Sequence, residues 1–188
     1  TLAIHLGSYA MVVGPTAETQ RALVEREYRQ RVIAYDPNVR LNVAPQLEVW
    51  RSTLDWMAAR THLLKVSDED LGLLYPGVPH AALAARWRTA GAAAVVVTRG
   101  GEGATAWVAD GEVPVAPVHA DVVDTVGAGD TFQAALLTAL AEREALQPKA
   151  LHLVPAAMWC EVLQFAARAA AITCGRRGAD LPRRHELG

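Results

Sequence analysis

The sequence predicts an α/β fold, a three-layer α/β/α arrangement around a mostly parallel sheet, and three observations predict it. Short β-rich runs alternate with stretches of helical periodicity, as in βαβ units with right-handed crossovers. One run, Ala92-Ala93-Ala94-Val95-Val96-Val97, is apolar at every position, as a strand covered on both faces should be. Beyond it, two further β-rich runs flank Asp110-Gly111, a hairpin signal that adds an antiparallel end to the sheet.

The β-rich runs fall at residues 2–6, 32–35, 62–65 and 94–98, and the helical patterns between them at 17–30, 44–60 and 80–90. The hairpin strands are expected over 105–108 and 113–118. A long helix then starts near Gly127, with Phe132, Ala135, Leu136, Ala139 and Leu140 at i, i+3, i+4, i+7 and i+8 on one face. A second carries Val162, Leu163, Phe165, Ala166, Ala169 and Ala170, where small residues permit close packing. The tail 176–188 is basic, carries Pro182 and ends the fold. Thr1 leads directly into the first strand as though into the middle of a fold, so residues are expected before it.

The 188 residues make one domain's worth of chain, with 52% hydrophobic and 20% charged residues, which excludes disordered and fibrous classes. A net charge of -2 argues against a nucleic-acid footprint, and no apolar run approaches the ~20 residues that span a membrane. The opening segment lacks the basic start and cleavage site of a signal peptide, so a cytoplasmic location is expected. Cys160 and Cys174, fourteen residues apart, are expected to be buried, reduced thiols, and the six histidines to be ordinary surface or core residues.

The chemistry concentrates in Asp124-Thr125-Val126-Gly127-Ala128-Gly129-Asp130, a loop feeding a helix N-terminus. Gly127 and Gly129 let an anion approach the backbone, while the free N–H groups of the first turn and the helix dipole favour negative charge. Asp130 falls in that turn, where a carboxylate can take a proton from an attacking hydroxyl. A dinucleotide fingerprint fails because Phe132 stands where a third Gly is needed, and Gly-Lys-Ser/Thr of a Walker A loop occurs nowhere.

Asp124-Thr125-Val126-Gly127-Ala128-Gly129-Asp130-Thr131-Phe132 resembles the C-terminal motif of the PfkB/ribokinase family of carbohydrate kinases. Four other segments follow the family's order. Tyr35-Asp36-Pro37-Asn38-Val39-Arg40 is similar to the segment of fructokinases and ketodeoxygluconate kinases, and Lys65-Val66-Ser67-Asp68-Glu69-Asp70 to that of fructokinase-like members. Val97-Thr98-Arg99-Gly100-Gly101-Glu102-Gly103 resembles a nucleotide loop, and residues 173–182 the closing segment beside the ATP and monovalent-cation sites.

The resemblance implies a ribokinase-like fold whose C-terminal, nucleotide-binding portion occupies residues 1–188. It implies an ATP-dependent sugar kinase, most like fructokinase, with 2-keto-3-deoxygluconate kinase as the nearest alternative and a noncatalytic nucleotide-binding fragment as the alternative of another class. Asp130 would be the base and the backbone of Gly127, Ala128 and Gly129 the anion hole. Thr98, Gly100 and Gly103 would contact ATP, with Lys65, Ser67 and Asp70 near the phosphates and the water shell of Mg²⁺. Asp70 stands where the family usually has Glu, and 68–70 reads equally as an acidic first helical turn. Asn38 and Arg40 would meet the substrate, Arg40 pairing with the transferring phosphate or a carboxylate. Asp124, with Val126, Thr173, Arg176 and Gly178, maps to a K⁺-type site, although Asp124 could instead cap the helix. Ala167 replaces an Asn that many relatives place near the adenine. The family's N-terminal sugar-binding strands and dimerising lid are absent from these residues, which should leave an exposed sheet edge. No nucleic-acid or membrane partner is implied.

Overall fold

The computed structural model describes residues 1–188, and its centre is a six-stranded sheet whose strands lie side by side in chain order. They are β1 (Ala3–Gly7), β2 (Val32–Asp36), β3 (Leu63–Ser67), β4 (Ala94–Thr98), β5 (Ala104–Val108) and β6 (Gly111–Val115). β1 to β4 run parallel, and β5 and β6 close the sheet antiparallel through the turn at Asp110-Gly111. At the opposite end β1 pairs only with β2, so the expected exposed edge is present, with Leu2 beside it 60% exposed.

Two apolar cores follow from the period of two along each strand. Val32, Ala34, Leu63, Ala94 and Val96 face one side with Ala104 and Ala106, where α5 (Ala128–Glu142) and α7 (Ala156–Cys174) cover them through Phe132, Leu136, Leu140, Trp159, Val162 and Leu163. Ile33, Tyr35, Leu64, Val66, Val95 and Val97 face the other, under α1 (Thr16–Glu27), α2 (Leu47–Ala58), α3 (Asp68–Leu74) and α4 (His80–Ala90). This is the three-layer arrangement, and the run Ala92 to Val97, expected to be covered on both faces, is buried throughout. A further short helix, α6 (Pro148–Leu151), was not anticipated.

Element boundaries differ from the expected ones for identifiable reasons. α2 starts at Leu47, not 44, because Pro45 disfavours helical backbone in the residue before it and Gln46 is extended. α1 stops at Glu27, where a tighter bond from the Gln30 N–H to the Glu27 carbonyl turns the chain toward β2. β6 ends at Val115, short of the expected 118, with Pro114 tolerated on this outer strand. α7 borrows a cap across space: the Asp110 carboxylate accepts the Ala156 N–H at 2.9 Å, so the hairpin turn also starts the last long helix. Cys160 and Cys174 are free thiols as expected, but both are half-buried where full burial was expected, Cys160 packing at the margin of the core and Cys174 standing at the end of α7.

Candidate active site

The parallel strands end together, and the chemistry-bearing residues gather at those C-terminal ends, as α/β sheets place them. Gly7 pairs with Asp36 across β1 and β2, and Ser67 pairs with Thr98 across β3 and β4. Asp36 shares the face of Val32 and Ala34, and Lys65 that of Leu63, so both side chains project toward the layer containing α5. There the Lys65 Nζ donates to the Asp36 carboxylate at 2.7 Å, with both side chains buried.

α5 begins at Gly127, whose φ of 80° lies in the left-handed region, and the turn is so tight that a Cβ there would come within 2.8 Å of the Ala179 Cβ. Ala128 and Gly129 follow as the first helical residues, and Asp130 is exposed in the same turn. The N–H groups of Gly129 and Asp130 donate to no protein acceptor, whereas the Thr131 N–H and Oγ1 both return to the Gly127 carbonyl. A Cβ built on Gly129 would lie 3.0 Å from the Lys65 Nζ. A lysine ammonium thus stands against the positive end of a helix with unpaired donors, an arrangement that favours an anion between them.

The 35–40 segment is tied to this point. The Asp36 carboxylate also accepts the Asn38 N–H at 3.2 Å, Asn38 has a φ of 40°, and the Ser8 hydroxyl donates to the Asn38 carbonyl. Arg40 is exposed and folds back to donate to the Val39 carbonyl. Asp70 takes the first-turn position that one of its two readings expects. Ser67 caps α3 by accepting the Asp70 N–H, so Asp70 is a first-turn acid, and its buried carboxylate also accepts the Val39 N–H at 3.1 Å. Burial, with Asp36 adding to it, raises the Asp70 pKa to about 6.

That raised value has a consequence for stability. Ionised Asp70 opposes folding, the penalty being fully present above the folded pKa and lost as pH falls toward the ordinary 3.8 of the unfolded chain. Asp70→Asn keeps an acceptor for Val39 and cannot ionise. It is expected to stabilise the fold by about 1–3 kcal/mol at pH 8, with the gain fading through pH 6 and gone below about pH 3.8. Thermal melts of the two proteins across pH check this, and a gain independent of pH would contradict it.

Asp124 does not cap α5, whose N-cap is Gly127 without a side-chain bond. Its carboxylate instead straps two loops, accepting the Val126 N–H at 3.0 Å and the Gly178 N–H at 2.9 Å, and those bonds hold its pKa below the ordinary carboxylate value. Thr173 is buried and shares a hydroxyl bond with Thr131, while Arg176 pairs with Glu186 and, at 3.8 Å, with Asp180. Of the five residues expected to surround a monovalent cation, Asp124, Val126, Arg176 and Gly178 lie on the two loops that Asp124 joins, and Thr173 lies in the last turn of α7.

Gly100 and Gly103 form the turn between β4 and β5 with φ of 48° and 88°. Packing alone explains Gly103, since a Cβ there would meet the Val115 carbonyl at 2.2 Å. A cleft of about 420 Å³ opens between residues 118–121 and α7, lined by His119, Asp121, Arg168, Ala171 and Ile172. Ala167 packs against the core and not into this cleft.

Two residues near this point carry no role of their own in the sequence reading. Asp36 has none there beyond its place in a motif, though a lone acid and a lone lysine near the ends of apolar neighbouring strands are a legible signal. His5, expected to be ordinary, lies on the edge strand close enough to feel Asp36 and Asp130. Surrounding protein still lowers its pKa, although its side chain is exposed.

The pfkB family carbohydrate kinase model matches residues 4–186. The chain belongs to that family. It is 42% identical over 138 residues to a fructokinase of Rhizobium leguminosarum bv. trifolii, covering 73% of this chain and 42% of that protein. To probable fructokinase-4 of Arabidopsis thaliana it is 30% identical, covering 93% of this chain and 52% of the relative. The chain thus spans about half the length of the curated relatives it matches. Among solved structures, aminoimidazole riboside kinase from Salmonella enterica superimposes with a TM-score of 0.83 at 24% identity, over 98% of this chain and 61% of that one. Fructokinase from Vibrio cholerae in its fructose-, ADP- and calcium-bound form gives 0.83 at 22%, over 98% and 59%. These two likenesses establish the fold, which is that of pfkB-type kinases. No helix is long and apolar enough to cross a membrane.

Proposed function

We propose that residues 1–188 form the C-terminal, nucleotide-binding portion of a pfkB-type kinase domain that moves the γ-phosphate of ATP to a sugar hydroxyl, fructose being the preferred acceptor. The observation that carries this reading is the meeting of Lys65 with the glycine start of α5, beside unpaired N–H groups and the exposed Asp130. Preorganised donors of this kind stabilise the charge on a transferring phosphoryl group, usually the largest electrostatic contribution to such a step.

In this reading Asp130 takes the hydroxyl proton, and the turn of Gly127, Ala128 and Gly129 receives the γ-phosphate through the free N–H groups of Gly129 and Asp130, the Ala128 N–H being held by the Thr125 carbonyl at 3.2 Å. Lys65 and Ser67 contact the phosphates, and Thr98, Gly100 and Gly103 line the nucleotide. Asn38 and Arg40 face the acceptor. The cleft between residues 118–121 and α7 adjoins the loop entering α5 and is the place for the base. ATP arrives with Mg²⁺, which binds mainly through phosphates and waters. Asp70 fits a water-mediated role best above pH 6, where it is ionised. A K⁺-like ion suits the loops joined by Asp124, near the carbonyls of Val126, Thr173, Arg176 and Gly178. The remaining expectations, a cytoplasmic location, dimerisation through a lid, and no nucleic-acid or membrane partner, belong to the same reading.

Phosphorylation of fructose, ribose and 2-keto-3-deoxygluconate with Mg-ATP by the intact enzyme tests it. Fructose should be turned over with the highest kcat/KM. Preference for ketodeoxygluconate would move the assignment to that kinase, with Arg40 on the substrate carboxylate. Calorimetry showing ATP binding without turnover of any sugar would favour the noncatalytic reading.

A further inference from the structure

Asp36 holds the two halves of the site with one carboxylate. One oxygen accepts the Lys65 ammonium at 2.7 Å and the other accepts the Asn38 N–H at 3.2 Å. The ion pair is almost wholly enclosed, with 5% of the Lys65 side chain and 7% of that of Asp36 exposed. A buried pair of this kind offers little net stability over an apolar substitute, so stability alone does not account for it. A further relation is visible at the other end of the lysine. Its Nζ sits where a Gly129 side chain would be, against a helix N-terminus whose N–H donors are unpaired. Two positive groups face one another there, and without Asp36 the ammonium would have no counter-charge at a bonding distance. Asp36 also sits at the end of β2, so its position is set by the sheet and not by a loop.

We propose that Asp36 is a positioning residue that acts through Lys65: it fixes the ammonium over the first turn of α5 so that the phosphates of a nucleotide complete a charge triad of carboxylate, lysine and anion. The proposal rests on the kinase reading above. It assigns Asp36 a role in phosphate binding although Asp36 touches no phosphate itself, and it gives Gly129 a second function, clearance for the lysine. Through the Asn38 N–H, the same carboxylate ties the 36–40 loop to the phosphate site.

The test is a titration of the full chain with ATP and, separately, with adenosine, in four proteins: unaltered, Asp36→Asn, Lys65→Met and the double variant. Asp36→Asn keeps an oxygen for Asn38 but turns an amide toward Lys65. It is expected to weaken ATP by ~10–100-fold, the range typical for groups that orient a ligand-binding side chain, and to leave adenosine affinity unchanged. Loss of adenosine as well would mark general damage to the fold and overturn the proposal. Lys65→Met should show the same selective loss. The double variant should bind ATP no more weakly than Lys65→Met, because Asp36 has no route to the phosphate without the lysine. It should also melt above Lys65→Met, which leaves a buried carboxylate unpaired.

ATP affinity in Asp36→Asn equal to that of the unaltered chain overturns the proposal, as does a double loss equal to the product of the single ones. Should Asp36→Asn fail to fold, the comparison of Lys65→Met with the double variant still decides the matter. An unaltered chain that binds neither ATP nor adenosine sinks the kinase reading and the proposal with it. The melting order then still reports whether the ion pair is a unit.

Discussion

Asp130→Asn is expected to lower kcat for sugar phosphorylation by ~10²–10⁴, with ATP affinity and melting temperature close to those of the unaltered protein. The substitution keeps the shape of the side chain and removes its ability to take a proton. Asp130 is exposed in the first turn of α5, so no buried network depends on it, and loss of a first-turn charge affects helix stability by only ~0.3–1 kcal/mol. The backbone donors at Gly129 and Asp130 are unchanged by an amide, which is why binding should persist. Turnover and calorimetric titration measured side by side separate the roles. Near-normal kcat would remove Asp130 as the base, and loss of ATP binding together with kcat would mean that the carboxylate shapes the turn instead.

The residues behind that expectation are legible in the amino-acid sequence, and the reason is local. A glycine-rich helix start places its own acid and its own N–H groups, so the geometry of residues 127–130 is contained in a few consecutive positions. The same holds for the parallel core. Ala94 to Val97 are buried on both faces because they are apolar at every step, and the hairpin at Asp110-Gly111 forms where the turn chemistry demands it. Where Pro45 or a tightened turn intervenes, the boundaries of α2 and α1 move by a few residues and the elements themselves do not.

What stays hidden depends on pairs distant in sequence. Asp36 and Lys65 are 29 residues apart, and their contact follows only once β2 and β3 are known to be parallel neighbours in the register Tyr35 with Leu64. Asp124 can be read as a helix cap or as part of an ion site, and the decision against the cap lies with Gly178, 54 residues on. For Asp70 the first-turn alternative is local and its backbone joins the capped start of α3, whereas the bond from the Val39 N–H to its side chain spans 31 residues and has no local signal. The half-burial of the cysteines likewise follows from packing, Cys160 lying at the margin of the core and Cys174 at the end of α7.

Gly127→Val is expected to disable the site from the backbone side, with kcat reduced by ~10²–10³, the effect typical of losing one anion-hole donor. Two observations combine to make this position intolerant. Gly127 has a φ of 80°, where a β-branched residue is strained, and a Cβ would stand 2.8 Å from the Ala179 Cβ. The neighbouring chain must therefore give way, and it is the segment whose Gly178 N–H is bound by Asp124. Displacing it would loosen the strap between the two loops as well as the first turn of α5, so the melting temperature should fall together with activity. Gly127→Ala, lacking the branch, should show the same changes at smaller size. Gly72→Ala is the matched control: no atom lies within 4 Å of a Cβ there and it is inside α3, so it should be neutral or stabilising by up to ~1 kcal/mol. If Gly127→Val retained both its melting temperature and its kcat, the tight turn at residue 127 could not be what forms the anion hole.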